Sequence, residues 1–567
     1  MTISPYDSLP SGNRVEYTEV DLNQLKTTPA KTSLPPKPTK TKPLAKPPSY
    51  AESTFKNYLG CVEYILPFEE TLLVPDTMPD MKEVLFAEGR VDISPMGKST
   101  YDRNDILSGN ITVFTVYKPT DVVKSAIPFK TDKCWEHASG DTFRAAVSLK
   151  WIAAEMINER KFIVKGELLI KIYELAEYKL KHLSNSAEND IMTCRQAIQA
   201  TVLKQELSDT TEISQDITIK EGQPHPVKIL NATMNIVENH RQITSGKLIL
   251  NASIHHQVLY IGEKDSGEHE LCCTTGKTDF SQFILINDDA DTNMLKLTFR
   301  HDLDMTIENY NSFQLRGNVM TLVQYYDNAP LESTCDAYHK KEDLLYDLHE
   351  TTLSHVAGVV DGEISSREVI DLSENDKKPS VLLCGNCRVE SLNAVFKQGQ
   401  ILITGDVKSE ILALDDEDSP FIINHTIPVR GTLEITAHEL SDPDICVDVV
   451  IKDFWFGEIN ARQIELNSSL SITVWASTKE IFCTLENLRF ADTDKLADIP
   501  SMAVYVVAPG ERLWDVAKRY KCDIATLAKQ NDLDIDMSAR RGSGICACIW
   551  TKRAASISST ARPSAVR

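Results

Sequence analysis

From about residue 55 to residue 490, apolar and polar positions alternate in one segment after another, as in NITVFTVYK, KFIVKGELLIKIYE, KLILNASIHHQVLYI, MLKLTFRHDLDMTI, ILITGDVKSEILAL and SLSITVWAS. Successive side chains of a β-strand point to opposite faces. A period of two in runs rich in β-branched and aromatic residues therefore predicts strands of half-buried antiparallel sheets. The period changes near the C-terminal end. There AVYVV (503–507) alternates as a short strand, Pro509 and Gly510 supply a turn, and Leu513, Val516, Ala517 and Tyr520 recur at steps of three and four, as on one face of a helix. Asp523 is placed to cap a second helix carrying Ile524, Leu527 and Ala528, with Asn531 near its end. The predicted order is strand, helix, helix. Trp514 lies off the apolar stripe, which leaves two readings open: a flat face offered to a ligand, or packing against a neighbouring strand.

The strands also repeat. A proline-containing approach to a strand occurs at 75–93, 222–237 and 377–391, and a long strand pair begins near Ile106, Leu248 and Ile401. An Ile-Pro entry follows at 125–130 (SAIPFK) and 425–430 (HTIPVR), with TDFSQFI at 278–284 as the variant without proline. A closing strand ends each block, and the equivalent positions Gly166, Gly317 and Ser468 are 151 residues apart in both steps. The expectation is three copies of one β-domain, at 55–182, 205–335 and 365–490, joined by polar linkers such as KHLSNSAEND and LESTCDAYHKKED. Each copy is expected to be a sandwich or small barrel of roughly seven or more short strands.

Composition narrows the function. At 567 residues the chain exceeds the size at which one core stops growing, in line with several domains. Hydrophobic (42%) and charged (25%) fractions are those of a globular protein. The net charge of −22 argues against a nucleic-acid binder, which needs a clustered basic surface. Residues 1–54 read as a disordered arm, because 26–48 holds seven prolines and six lysines without an acid and cannot bury enough apolar surface to offset chain entropy. The first residues show no signal-peptide pattern and no apolar run is long enough for a membrane span, so neither is expected.

Thirteen scattered cysteines read as reduced cytosolic thiols without disulfides. The pair Cys384 and Cys387, in CGNC, reads as strand, turn and strand with buried thiols; no second CxxC lies nearby to complete a zinc site. His255 and His256 are neighbours on a strand and face opposite sides, and HDLDM (301–305) reads as an alternating strand. Phosphate-binding glycine loops are missing from the sequence. The expectation is a protein that is not an enzyme, with no catalytic residue, no metal ligand and no cofactor.

The opening VPDTMPDMKEVLFAEGRV, the G-x-I-x-V-x-x-x-Y strand (109–117), the Ile-Pro entry and three blocks followed by a terminal module resemble the SipL family of spore-coat morphogenetic proteins, built of SPOCS repeats and a LysM domain. The likeness covers about residues 55–535, and block two departs by lacking Ile-Pro. The terminal stretch YVV-x-PGE-x-LWDVAKRY and LAKQNDL resembles LysM, placed here at 502–550. The resemblance implies a mainly β protein with three tandem antiparallel β-sandwich or barrel-like repeats plus a small C-terminal α+β (βααβ) LysM module. It implies a mother-cell cytoplasmic protein at the forespore surface that binds the morphogenetic ATPase of the coat's basal layer and other coat proteins.

In glycan-binding LysM domains, the N-acetyl groups of chitin or peptidoglycan lie between the loop after the first strand and the loop after the second helix. The binding residues so implied are Pro509, Gly510, Glu511, Arg512, Leu513, Trp514, Asn531, Asp532 and Leu533. Arg512 stands where the family usually has a small hydroxyl residue. With Asp532, Asp534 and Asp536 opposite, it favours a polar protein partner. Binding of peptidoglycan, an N-acetylglucosamine polymer, is the alternative.

After Asp536 the family's glycine turn and closing strand give way to MSARRGSGICACIWTKRAASISSTARPSAVR, with six arginines and lysines and no acid. GICACIW offers a makeshift second strand. The expectation is nevertheless a shifted reading frame or truncated gene that leaves the module incompletely closed with an unpaired edge, and a disordered basic tail at 551–567.

Overall fold

The computed structural model describes residues 41–44, 48–94, 97–98, 105–131, 142–185, 190–287, 290–435, 442–491, 502–506, 511–534 and 546–550. A short strand, β1 (Thr41–Pro43), precedes three units of like topology. The first unit holds β2 (Ser49–Leu73), β3 (Glu83–Ile93), β4 (Gly97–Lys98), β5 (Asp105–Lys118), β6 (Asp121–Thr131), β7 (Thr142–Asn158) and β8 (Lys161–Asn185). The second holds β9 (Ile191–Thr218), β10 (His225–Thr244), β11 (Lys247–Glu263), β12 (His269–Leu285), β13 (Leu295–His301), β14 (Asp304–Asn309) and β15 (Ser312–His339). The third holds β16 (Leu344–Asp371), β17 (Val381–Lys397), β18 (Gln400–Leu414), β19 (Pro420–Glu434), β20 (Asp444–Asn460) and β21 (Gln463–Ala491).

In every unit the first and last strands pair antiparallel along their length, β2 with β8, β9 with β15 and β16 with β21. The preceding strands add to the last: β7 to β8, β13 and β14 to β15, β20 to β21. The middle strands form a meander: β3-β5-β6, β10-β11-β12 and β17-β18-β19. Each meander lays its apolar face on the other sheet. The three resulting cores centre on Ile111, Phe162 and Leu168, on Ile254, Tyr260 and Phe313, and on Ile403, Ile427 and Leu470. The alternation read from the sequence is thus the inner and outer faces of three sandwiches.

Beyond the sandwiches the long outer pairs run on together and pack against one another as a three-sided pillar. Leu180, Ile198, Ala200, Leu353 and Phe482 make one apolar layer of it, and Leu183, Ile191, Ala337, Leu485 and Leu488 another. At its base Tyr58, Tyr326 and Trp475, one from each unit, meet edge to face with every pair of ring centroids 5.5 Å apart. Next to them the first strands of the three units converge. The fully buried Asn57 donates from Nδ2 to the carbonyls of Thr201 and Ser354, each at 2.7 Å, and its Oδ1 accepts from the Ser354 amide at 2.8 Å. One side-chain amide therefore satisfies backbone groups that the closely approaching strands leave unpaired.

Several expectations change here. The two stretches read as polar linkers both begin in strand: β8 continues to Asn185 and β15 to His339. The first strands begin at Ser49, Ile191 and Leu344, ahead of the positions 55, 205 and 365 read from the alternation. These segments look polar because, beside its apolar layers, the pillar buries small hydroxyl residues, among them Thr201, Ser333, Thr334 and Ser354. Among the described residues the strands, seven, seven and six to the unit, include much longer ones than expected, up to 29 residues. The end of the Lys/Pro arm is strand, with Lys42 paired to Phe490, while residues 1–40 lie outside the described residues. CGNC contains no turn; it continues β17 through a register shift at Leu382/Cys384, with both cysteines buried. HDLDM is split between β13 and β14. Finally, Cys61 and Cys446 form a disulfide with Cα atoms 5.9 Å apart, 385 residues distant in sequence, because β2 of the first unit packs on β20 of the third.

Candidate functional site

The terminal module is built from β22 (Met502–Val506), α1 (Leu513–Arg519), α2 (Ile524–Asn531) and β23 (Cys546–Trp550). β22 and β23 pair antiparallel from Met502↔Trp550 to Val506↔Cys546, so CACIW closes the module and the edge expected to stand open is covered. The segment is apolar throughout and finds its pairing partner in β22. The tail at 551–567 lies outside the described residues.

Local chemistry sets both helices. Asp515 accepts from the Arg512 amide at 3.0 Å, tying the start of α1 to the residue that precedes it. Asp523 caps α2, accepting from the Thr526 amide and hydroxyl at 2.9 Å. The left-handed residue ending α2 is Asp532 (φ 50°), while Asn531 turns back to donate to the Leu527 carbonyl at 2.8 Å.

The residues implied by resemblance separate into three groups. Pro509 and Gly510 lie outside the described residues. Leu513, 3% exposed, and Leu533 belong to the module's own core with Val516, Ala517, Leu527 and Ala528. On the rim, Arg512 is exposed and folds its guanidinium back onto Asp515 (3.3 Å); Glu511 accepts from Tyr505 at 3.0 Å and pairs with Arg519 at 3.0 Å; Asp532 is exposed.

Trp514 is 6% exposed, so of its two readings packing holds and the free flat face does not. Its ring meets Tyr338 edge to face at 5.0 Å, and its Nε1 donates to Asp336 Oδ2 at 2.8 Å. Both partners lie on β15 of the second unit. Asp336 Oδ1 also accepts from Lys518 Nζ and from the Tyr346 hydroxyl, each at 2.6 Å. Burial works against the charge on Asp336, but the bonds from Lys518, Tyr346 and Trp514 outweigh it and hold the carboxyl below its usual range. The Tyr338 hydroxyl donates to the Cys522 carbonyl at 2.6 Å, and Lys340–Asp523 (3.0 Å) and Lys521–Asp343 (2.5 Å) complete the contact. The α1 helix is therefore covered on two faces, by its own module and by the pillar, which is why one apolar stripe did not account for Trp514.

Sequence reasoning missed Asp336, Tyr338 and Lys340, since all three lie in LESTCDAYHKKED. It also missed the junctions that hold the units in register. Asp448 of β20 binds Lys171 Nζ at 2.8 Å and the Tyr173 hydroxyl at 2.6 Å from the first unit, and Lys296 Nζ at 2.9 Å from the second. Lys296 lies 4.3 Å from the Tyr173 ring centroid and 4.4 Å from that of Trp475. Burial opposes the Asp448 charge, and the two ammonium groups overcome it and hold the carboxyl well below the usual range. Glu88 of β3 accepts from Asn231 and from Thr233 (2.8 Å) of the second unit and from Asn386 (3.3 Å) of the third. Burial raises its pKa, and these neutral donors only moderate the rise.

His255 and His256 sit side by side on β11, both held below the ordinary histidine range by burial. Burial pushes the Cys387 thiol up to about 12; the Cys384 thiol is raised first by its hydrogen bond with Cys273 and then by burial. Among the described residues, no group of three or more His, Cys, Asp or Glu is placed to hold a metal ion, and no helix is long and apolar enough to cross a membrane.

Residues 227–313, within the second unit, match the family described as SipL, SPOCS domain, and residues 505–537 match the LysM domain family. No curated protein and no solved structure matches the chain significantly. Both matched domains are of non-catalytic types, the first tied to sporulation and the second to peptidoglycan binding. The chain is SipL-like: it carries a SPOCS domain in its second unit and a LysM domain at its C-terminal end.

Proposed function

We propose that this chain is a non-catalytic adaptor for assembly of the spore envelope, working in the mother cell at the forespore surface. In this reading the β-units and the terminal module bind coat morphogenetic proteins, among them the ATPase of the basal layer. The observation that carries it is the mounting of the LysM module: Trp514 is committed to Asp336 and Tyr338, and what faces outward is a charged rim of Arg512, Arg519, Asp532 and Asp534. Such a rim suits recognition of a protein by charge complementarity. The LysM match itself favours the second reading, retention on peptidoglycan through the same loops.

The test is a pull-down with purified full-length protein against insoluble peptidoglycan and against lysate of sporulating cells. The expected result is capture of the coat ATPase from lysate, lost in Asp532→Lys/Asp534→Lys. Retention on peptidoglycan with no coat protein captured overturns the adaptor and establishes the second reading.

A further inference from the structure

The outer face of the third unit's long sheet carries a side chain that the packing of the units does not use. Trp455, on β20, is 52% exposed although it sits in the middle of a paired strand. Its indole lies against Gly457: a Cβ there would come within 2.7 Å of ring atom Cη2 and 2.8 Å of Cζ2. The benzo edge of the ring is therefore held against the strand while about half of the side chain stays open to solvent. Residues two apart on a strand share a face, and register places the neighbours. Asp453 precedes Trp455 on β20, Asn467 and Ser469 lie across on β21, and Arg367 and Ser365 lie beyond them on β16.

These neighbours are held in place and balanced in charge. Arg367 pairs with Glu465 at 2.6 Å, and Glu465 also accepts from Asn467 at 3.0 Å. Ser469 donates to Glu363 at 2.6 Å, and Glu363 is neutralised by Lys452. Asp453 faces Lys277 of the second unit at 3.8 Å. Nothing here recruits an ion, while hydroxyl, amide and ion-paired groups surround a flat indole at fixed heights. A cleft of about 250 Å³ runs along Trp455, Ser469 and Arg367, with room for a single hexose-sized ring. Trp455 also borders a larger cleft of about 790 Å³ between the units, walled opposite by His255, Gln257 and Lys277 of the second unit.

We propose that this face is a binding site for a neutral saccharide chain, one pyranose ring stacking on Trp455 while the chain runs over the indole from the smaller cleft into the larger. A pyranose offers an apolar C–H face to an aromatic ring and hydroxyls at its rim, which is the chemistry the site presents. The site is separate from the terminal module and stands whether or not the proposed function does.

Calorimetric titration of the full-length protein with cellohexaose and with the N-acetylglucosamine hexamer tests it. At least one hexasaccharide is expected to bind, with affinity reduced roughly tenfold or more in Trp455→Ala and largely kept in Trp455→Tyr. Gly457→Ala, which pushes a methyl group into the indole, is expected to weaken binding although it removes no contacting group. Thermal unfolding run alongside shows that these surface variants stay folded. An Asn531→Ala/Asp532→Ala variant of the terminal module is expected to keep the Trp455-dependent part of the binding. The proposal is overturned if neither sugar binds at low millimolar concentration, if Trp455→Ala binds as wild type does, or if binding vanishes only in the Asn531/Asp532 variant. That last result would assign all glycan binding to the terminal module.

Discussion

Asp448 and Glu88 each hold three units together, and they do so with opposite chemistry. Asp448 faces two ammonium groups and a phenol; Glu88 faces two amides and a hydroxyl. Both are removed from bulk water, and burial alone penalises either charge. Cations reverse that penalty at Asp448, whereas neutral dipoles only soften it at Glu88. Buried charge is thus held firmly at one junction and reluctantly at the other, and the two respond to acid with opposite sign.

Asp448→Asn should have the largest effect, because Lys296 is left buried without its counter-charge and Lys171 keeps only Glu63, at 3.6 Å. A loss of about 3–5 kcal/mol is expected, read from urea unfolding at neutral pH. Replacing the whole cluster, Lys171→Met/Lys296→Met/Asp448→Leu, should recover most of it; failure to recover would mean that the cluster does more than cancel its own charges. Asp336→Ala comes next. It removes one acceptor from three donors at the module's mounting, and the docking should weaken by about 1–3 kcal/mol. The expected sign is faster amide exchange across 511–534, with the sandwich strands unchanged.

Glu88→Gln should be the mildest, within about 1 kcal/mol at neutral pH, since a neutral amide meets the same neutral donors. Its value lies in the pH profile. A carboxyl whose native pKa is raised binds its proton more tightly folded than unfolded, so its contribution is greatest in acid and falls as pH rises from the ordinary carboxylate range through the raised native value. Asp448, held low, contributes fully at neutral pH and is lost only as pH drops below the ordinary aspartate range. Unfolding midpoints of wild type and Glu88→Gln, measured across mild acid to neutral, should converge at the acid end and separate in favour of the variant as pH rises. Parallel curves would remove Glu88 as a titrating junction.

The parts of the fold that were readable share one property: each depends on residues close in sequence. Alternation in ILITGDVKSEILAL reports the inner and outer faces of β18, and Asp523 caps α2 through a residue three positions away. The candidate site was less legible. Trp514 could be placed on a helix and off its stripe, but the partner that buries it is Asp336, 178 residues earlier in a segment that reads as linker. Its neighbours Ser333 and Thr334 are polar by type and buried by position, so hydropathy misreports them.

The 151-residue spacing of Gly166, Gly317 and Ser468 and the recurrent Ile-Pro entries by themselves determined that this protein is a series of like β-units ending in a small strand-and-helix module. Only the tertiary structure decided that the units stand around one axis. The pillar, the aromatic triangle of Tyr58, Tyr326 and Trp475, the Cys61–Cys446 bridge and the seating of the terminal module all join residues from distant parts of the chain. Periodicity records which side of a strand faces inward; it carries no record of which other strand will be found there, because that choice is made by packing and by charges that meet only after the chain has folded.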